Sequence, residues 1–133
     1  MSTRSAIIQR QDDGSFLGIY CHSDGYPTGV GRTLAEHWQD PEKIGALIAL
    51  GDISCLGPTT ASGGRYDGTF AYMRDRGETG LEAHRGSTWE AVAATIGHNG
   101  YVYVHDGQRW TCNGLPLADA IAKDEAGEDV AAS

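Results

Sequence analysis

GIYCHSDGYPTGVGRTLAEHW, residues Gly18 to Trp38, is the stretch whose reading decides the fold, because a strand, a Gly/Pro loop and a helix follow one another within it. Phe16-Leu17-Gly18-Ile19-Tyr20 is an apolar, β-prone run. Ser23-Asp24-Gly25-Tyr26-Pro27 ends it, since Gly and Pro do not both fit a continued central ladder. From about Thr28 a helix is expected: Val30, Leu34 and Trp38 fall four residues apart and line one apolar stripe, with Arg32, Glu36 and Gln39 on the polar side.

Toward the N-terminus, Ala6-Ile7-Ile8 and the strand of Phe16 to Tyr20 flank Asp12-Asp13-Gly14, a turn signal that predicts a β-hairpin. Toward the C-terminus, Asp40 before Pro41 predicts an N-cap and first helical residue, and Ile44, Leu47 and Ile48 give that helix its apolar face up to Gly51. Residues 52–68 are rich in Gly, Ser and Thr, the make-up of a surface loop that suits mobility. Thr69-Phe70-Ala71-Tyr72-Met73 reads as a third strand, and Gly77 to Gly86 as a polar connector. Ser87-Thr88-Trp89-Glu90 has the spacing of a capping box and opens a helix with Trp89, Val92, Ala93 and Ile96 inward and Gly97 at its end. Tyr101 to His105 and Gln108 to Cys112 form a second hairpin through Asp106-Gly107, and Leu117, Ala120 and Ile121 mark a short last helix.

These elements spell an α+β fold: one small domain over residues 1–126, its mainly antiparallel sheet built from two β-hairpins plus a central strand and packed with three to four short helices. Residues 127–133 read as a frayed acidic tail. The length of 133 residues suits a single core, and 40% hydrophobic with 21% charged residues is ordinary globular composition.

Charge narrows the function. Asp and Glu outnumber Lys and Arg by 18 to 10, so a net charge of -8 opposes direct binding to nucleic-acid phosphates or to anionic membranes, and a basic protein surface is the better partner. From Leu117 onward there are five acids against Lys123 alone, half of that net charge. Cys21, Cys55 and Cys112 are odd in number and widely spaced, as reduced thiols of a cytoplasmic protein would be. No apolar run approaches the length that spans a bilayer.

Reactive chemistry finds little support. Cys21 and His22 are the one adjacent pair of soft ligands, but strand neighbours point to opposite faces, so no metal or other cofactor is expected. Cys21 as a nucleophile lacks a visible third orienting group. Gly29-Val30-Gly31-Arg32 places amides and a cation at a helix start, where an anion could sit, although the Lys-Ser/Thr ending of a phosphate loop is missing. Strand aromatics are core by default, so the loop residues Tyr26, Arg65 and Tyr66 are the candidates for contact with a partner. His22 and Asp24 join Gly29, Gly31 and Arg32 as candidates because they flank the organising loop.

MSTRS at Met1 to Ser5, GIYCHSDGYP at Gly18 to Pro27 and LIALGDISCLGP at Leu47 to Pro58 resemble a family of small uncharacterised proteins carried by bacteriophages and prophages. The likeness covers roughly the first 58 residues, with a weaker echo in the hairpin at Tyr101 to Trp110. It brings no reaction and no catalytic residues. What it implies is context: small acidic phage accessory proteins are frequently inhibitors of bacterial defence, anti-CRISPR proteins among them. The expectation is therefore a non-enzymatic inhibitor, acting in the host cytoplasm, whose acidic surface meets the basic groove of a defence protein such as a CRISPR effector; homodimerisation stays open. The alternatives are a sponge that captures a nucleotide signal with Gly29, Gly31, Arg32 and loop aromatics, and a Cys/His or metal-dependent enzyme.

Overall fold

The computed structural model describes residues 3–64, 66–97, 100–128 and 130. Its strands are β1 (Ser5–Arg10), β2 (Phe16–Cys21), β3 (Ile53–Cys55), β4 (Phe70–Ala71), β5 (His84–Gly86), β6 (Tyr101–His105), β7 (Trp110–Cys112) and β8 (Leu115–Pro116). The helices are α1 (Arg32–His37), α2 (Pro41–Ala49), α3 (Tyr72–Arg76), α4 (Trp89–Ile96) and α5 (Leu117–Glu125), and a π-helical turn at Pro27–Gly31 runs into α1.

Both expected hairpins form. β1 pairs antiparallel with β2, Ile7 opposite Ile19, and β6 with β7, Tyr103 opposite Cys112. The turns close on Gly14 and Gly107, at φ of 86° and 104°, a region costly for any residue with a Cβ. The hairpins join side by side, β1 running parallel to β6 with Ile7 opposite Tyr103. The described strands make one mixed sheet in the order β4-β3-β2-β1-β6-β7-β8, with β5 on the outer edge of β2. Only β1·β6 and β2·β3 are parallel among these strand pairs, so the fold is α+β with a mainly antiparallel sheet. Where the outer edge of β2 passes from β5 to β3, the Asp52 carboxylate accepts the Tyr20 N–H at 2.9 Å and fills the missing rung.

Strand alternation sorts the side chains between two layers. Ile7, Ile19, Cys21 and Tyr103 face α1, α2 and α5, which bring Leu34, Ile44, Leu47 and Ala120. Trp38 is fully buried in this layer. On the other face a smaller cluster of Ala6, Ile8 and Val104 lies under Val92 of α4. Asp40 caps α2 as expected, accepting the Glu42 N–H at 3.0 Å.

Several local expectations are corrected. The third strand is only Phe70–Ala71, because Asp75 accepts the Ala71 N–H at 2.8 Å and Gly77, at φ 70°, closes a helical turn, so Tyr72 and Met73 belong to α3. With α3 the described residues hold five α-helices rather than three to four. The cap of α4 is Thr88, not Ser87: its hydroxyl accepts the Ala91 N–H at 3.1 Å. Trp89, Ala93 and Ile96 are half-buried around the one fully buried α4 residue, Val92. The polar connector contributes β5. Beyond α5, Gly127 and Glu128 donate backbone hydrogen bonds to Asp124 and Lys123, and the buried Val130 accepts from Asn113 Nδ2 at 2.6 Å. Residues 129 and 131–133 of the expected tail lie outside the described residues.

The Gly/Ser/Thr-rich loop is tied down at many points. Trp38 Nε1 donates to the Gly57 carbonyl at 2.9 Å, the Gly57 N–H donates to Thr69 Oγ1 at 3.2 Å, and Thr69 Oγ1 donates to the Thr59 carbonyl at 2.8 Å. Arg74 bonds the carbonyls of Thr60 and Thr69, and Ser62 Oγ donates to Asp75 at 2.6 Å. The loop crosses itself so closely that a Cβ on Gly57 would stand 1.7 Å from the Gly68 carbonyl oxygen. Gly57→Ala is therefore expected to cost about 1–3 kcal/mol of overpacking, read as a lowered urea midpoint.

Candidate functional site

The loop and helix of the organising stretch form one wall of a cleft of about 330 Å³, and the 56–68 loop forms the other. Ser23, Asp24, Tyr26 and Thr28 enter from the strand-to-helix connection, Gly29, Arg32, Thr33, Glu36 and His37 from the helical face, and Leu56, Pro58 and Tyr66 from the loop. The connection is tightly folded. Asp24 has a positive φ of 57°, a region that Asp tolerates better than most residues. Its carbonyl accepts the Val30 N–H at 2.8 Å, and its carboxylate accepts the Tyr26 hydroxyl at 3.1 Å. A Cβ on Gly29 would lie 2.4 Å from that carbonyl oxygen and 2.9 Å from the Tyr26 ring, so glycine alone lets the chain close here.

Of the candidates read from the sequence, Asp24, Tyr26, Gly29, Arg32 and Tyr66 line this one cleft. His22 does not: its Nδ1 is 2.7 Å from the Tyr20 hydroxyl and its N–H donates to the Ile53 carbonyl, holding it at the strand edge. Gly31 is in the core, where a Cβ would meet Leu117 and Tyr103 at 3.2 and 3.3 Å. Arg65 lies outside the described residues. Glu36, His37 and Thr33 were missed as site residues, although their helical spacing from Gly29 and Arg32 sets all five along one side of the helix.

The helix start around Gly29 to Arg32, where an anion could sit, is engaged from within the chain. The Gly29 N–H donates to the Tyr26 carbonyl at 2.8 Å. Asp124, from the last turn of α5, takes both the N–H and the hydroxyl of Thr28, at 2.9 and 2.7 Å. Glu125 beside it pairs with the Arg32 guanidinium. A helix start favours a negative group, and here α5 supplies it.

The other chemical candidates sit apart from the cleft. Cys21 and Cys112 are buried, and burial pushes both thiols up to about 12, far from the thiolate a nucleophile needs. Among the described residues no three His, Cys, Asp or Glu side chains gather as metal ligands would, and no helix is long and apolar enough to cross a membrane.

One carboxylate, that of Asp75, helps hold the loop wall through Ser62. Arg74's guanidinium, then Ser62's hydroxyl, hold the Asp75 carboxyl well below its ordinary value of 3.8. Its contribution to stability is present above that ordinary value and is lost as pH falls below it. Hydrogen bonds lower Asp13 and Asp106 as well and burial moves Asp52 the other way, so the raw acid curve mixes all these groups. The expected result is that stability falls as pH drops from about 5 to 3, and that Asp75→Asn, less stable at neutral pH, flattens that fall. Urea midpoints measured across this range check it.

Comparison of the chain with protein-family models, with curated proteins and with solved structures found no match.

Proposed function

We propose that this protein is a binding module rather than an enzyme: a phage-type accessory protein that docks on a bacterial defence component, of the CRISPR-effector kind, and blocks its nucleic-acid or partner site. One observation carries the reading. Tyr66, at the lip of the cleft, is 83% exposed, a large aromatic ring presented to solvent from a loop that many hydrogen bonds hold in place. Rigid exposed aromatics are what protein interfaces use as anchors, because little entropy is lost when they bind. The net charge of -8 suits a basic partner groove and supports fast, salt-sensitive association.

The test is biological and biochemical together. Expression in cells armed with defined CRISPR and other nuclease-based systems is expected to restore phage plating against at least one, and the tagged protein is expected to co-purify with a component of that system at low salt. Unchanged plating across the panel, with no component captured, would defeat the proposal. A nucleotide-signal sponge is the second reading, favoured by the size of the cleft and its two tyrosines. It requires Arg32 to leave Glu125, and a rise in Tm with cyclic or ADP-ribose-type nucleotides would select it.

A further inference from the structure

We infer that the β6–β7 hairpin carries an acid-sensitive latch: His105 holds the turn at Asp106-Gly107 closed while its imidazole is neutral and releases it when the ring takes up a proton. The geometry fixes the tautomer. The Gly107 N–H donates to His105 Nδ1 at 3.2 Å, so Nδ1 is bare and the proton of the neutral ring sits on Nε2. His105 is 1% exposed, and among the described residues its Nε2 has no hydrogen-bond partner.

A second proton must therefore arrive at Nδ1, where it faces the Gly107 N–H and breaks that bond. It leaves a full charge in the interior with two ring donors unmet, a state that burial disfavours. The surroundings do little to offset it. Opposite His105 on β1 stands the neutral Gln9, whose Nε2 donates to the Pro41 carbonyl at the start of α2. Opposite it on β7 stands Trp110, with ring centroids 5.1 Å apart and planes at 72°. Arg10 on β1, Arg109 in the turn and Asp40 and Glu42 at the start of α2 are exposed, and Lys43 is spent on the carbonyls of His37 and Pro58. Among the charged groups of the described residues, Asp106 is the one that bears on the ring, and its Oδ1 already accepts the N–H groups of Gln108 and Arg109. Burial outweighs it and holds the imidazole below its ordinary value of 6.5. The open turn, with its ring in water, takes the proton first, so closure is complete above that value and weakens as pH falls below it. Trp110 Nε1 donates to the Trp38 carbonyl at 2.8 Å and anchors the rest of the hairpin, which confines the opening to the turn.

The test uses the full chain, labelled with 15N and 13C, followed by NMR from about pH 7.5 to about pH 5. The neutral ring is expected to show the Nε2–H tautomer, and the His105 imidazole to titrate below 6.5. Opening constants for the Asp106, Gly107 and Arg109 amides come from hydrogen exchange, with the intrinsic rate at each pH divided out. They are expected to rise as pH falls, by at most about 30-fold at about pH 5, the linkage limit for a ring that has its ordinary value in the open turn. The Gln11 and Gly14 amides of the first hairpin, bonded to the Ser15 and Gln11 carbonyls, are expected to stay level. His105→Asn, whose side-chain oxygen can accept the same Gly107 N–H and which does not titrate, is expected to abolish the rise. Four results would each overturn the inference: the other tautomer, titration at or above 6.5 as a charge stabilised by the Trp110 ring would give, opening that does not rise or rises equally in both hairpins, and a rise that survives in His105→Asn. The wild-type titration decides even if the variant fails to fold.

Discussion

Replacing Trp38 with alanine is expected to cost about 3–5 kcal/mol, the largest loss from any single substitution in this core. The indole is fully buried against both helices and sheet. Removing it leaves a cavity and strips the Gly57 carbonyl of the 2.9 Å hydrogen bond from Nε1. Lys43, whose ammonium lies 4.5 Å from the ring centroid and donates to the Pro58 carbonyl at 2.7 Å, loses the surface it rests on. Trp38→Phe separates the two effects. It keeps most of the apolar volume and removes the donor, so about 1–3 kcal/mol of the loss should remain. Urea unfolding gives both numbers, and faster hydrogen exchange at Gly57 and Gly68 is expected in each, since Trp38 is one of the residues that join the loop wall to the core. A Trp38→Ala chain that unfolds within about 1 kcal/mol of the wild type would contradict this account of the core.

Tyr66→Ala is expected to do the opposite: stability unchanged within about 0.5 kcal/mol, and affinity for the partner down by about 2–4 kcal/mol, roughly 30- to 1,000-fold in Kd. A side chain 83% exposed adds little to the fold, and truncating it removes the anchor proposed for the interface. Tyr66→Phe tests whether the ring or the hydroxyl matters. Calorimetry against the captured component, at two ionic strengths, gives the affinity and its salt dependence together. Wild-type affinity in Tyr66→Ala would show that the contact surface lies elsewhere.

The parts of this fold that the sequence made legible are those fixed by neighbours. Asp13-Gly14 and Asp106-Gly107 identify their hairpins because the turn chemistry and the flanking runs lie within a few residues. Val30, Leu34 and Trp38 mark their helix because the stripe has its own period, and all three are buried. What failed depended on distant partners. Tyr72 and Met73 look like strand residues; the helical turn there is held by Asp75 reaching back to Ala71, a choice that β-propensity does not see. β3, β5 and β8 are two or three residues long, too short for an alternating pattern to show.

The site divides in the same way. Asp24, Tyr26, Gly29 and Arg32 were found because one short stretch holds them, and Tyr66 because packing periodicity does not explain an aromatic at a loop position. What engages the helix start could not be read locally, because Asp124 stands 96 positions away from Thr28. Nothing local announces that a helix end is already satisfied by its own chain.

The parallel seam between β1 and β6 sets the order in which this protein can be made. Residues 5–9 wait for their neighbours at 101–105, so on the ribosome the N-terminal hairpin emerges with one edge unpaired and keeps it until most of the chain has been synthesised. Closing so long a loop is slow and brings its reward only at the end, which makes folding late and cooperative across the whole sheet. A nascent chain arrested before residue 101 would accordingly be open to protease throughout, and to holdase chaperones that cover bare strand edges.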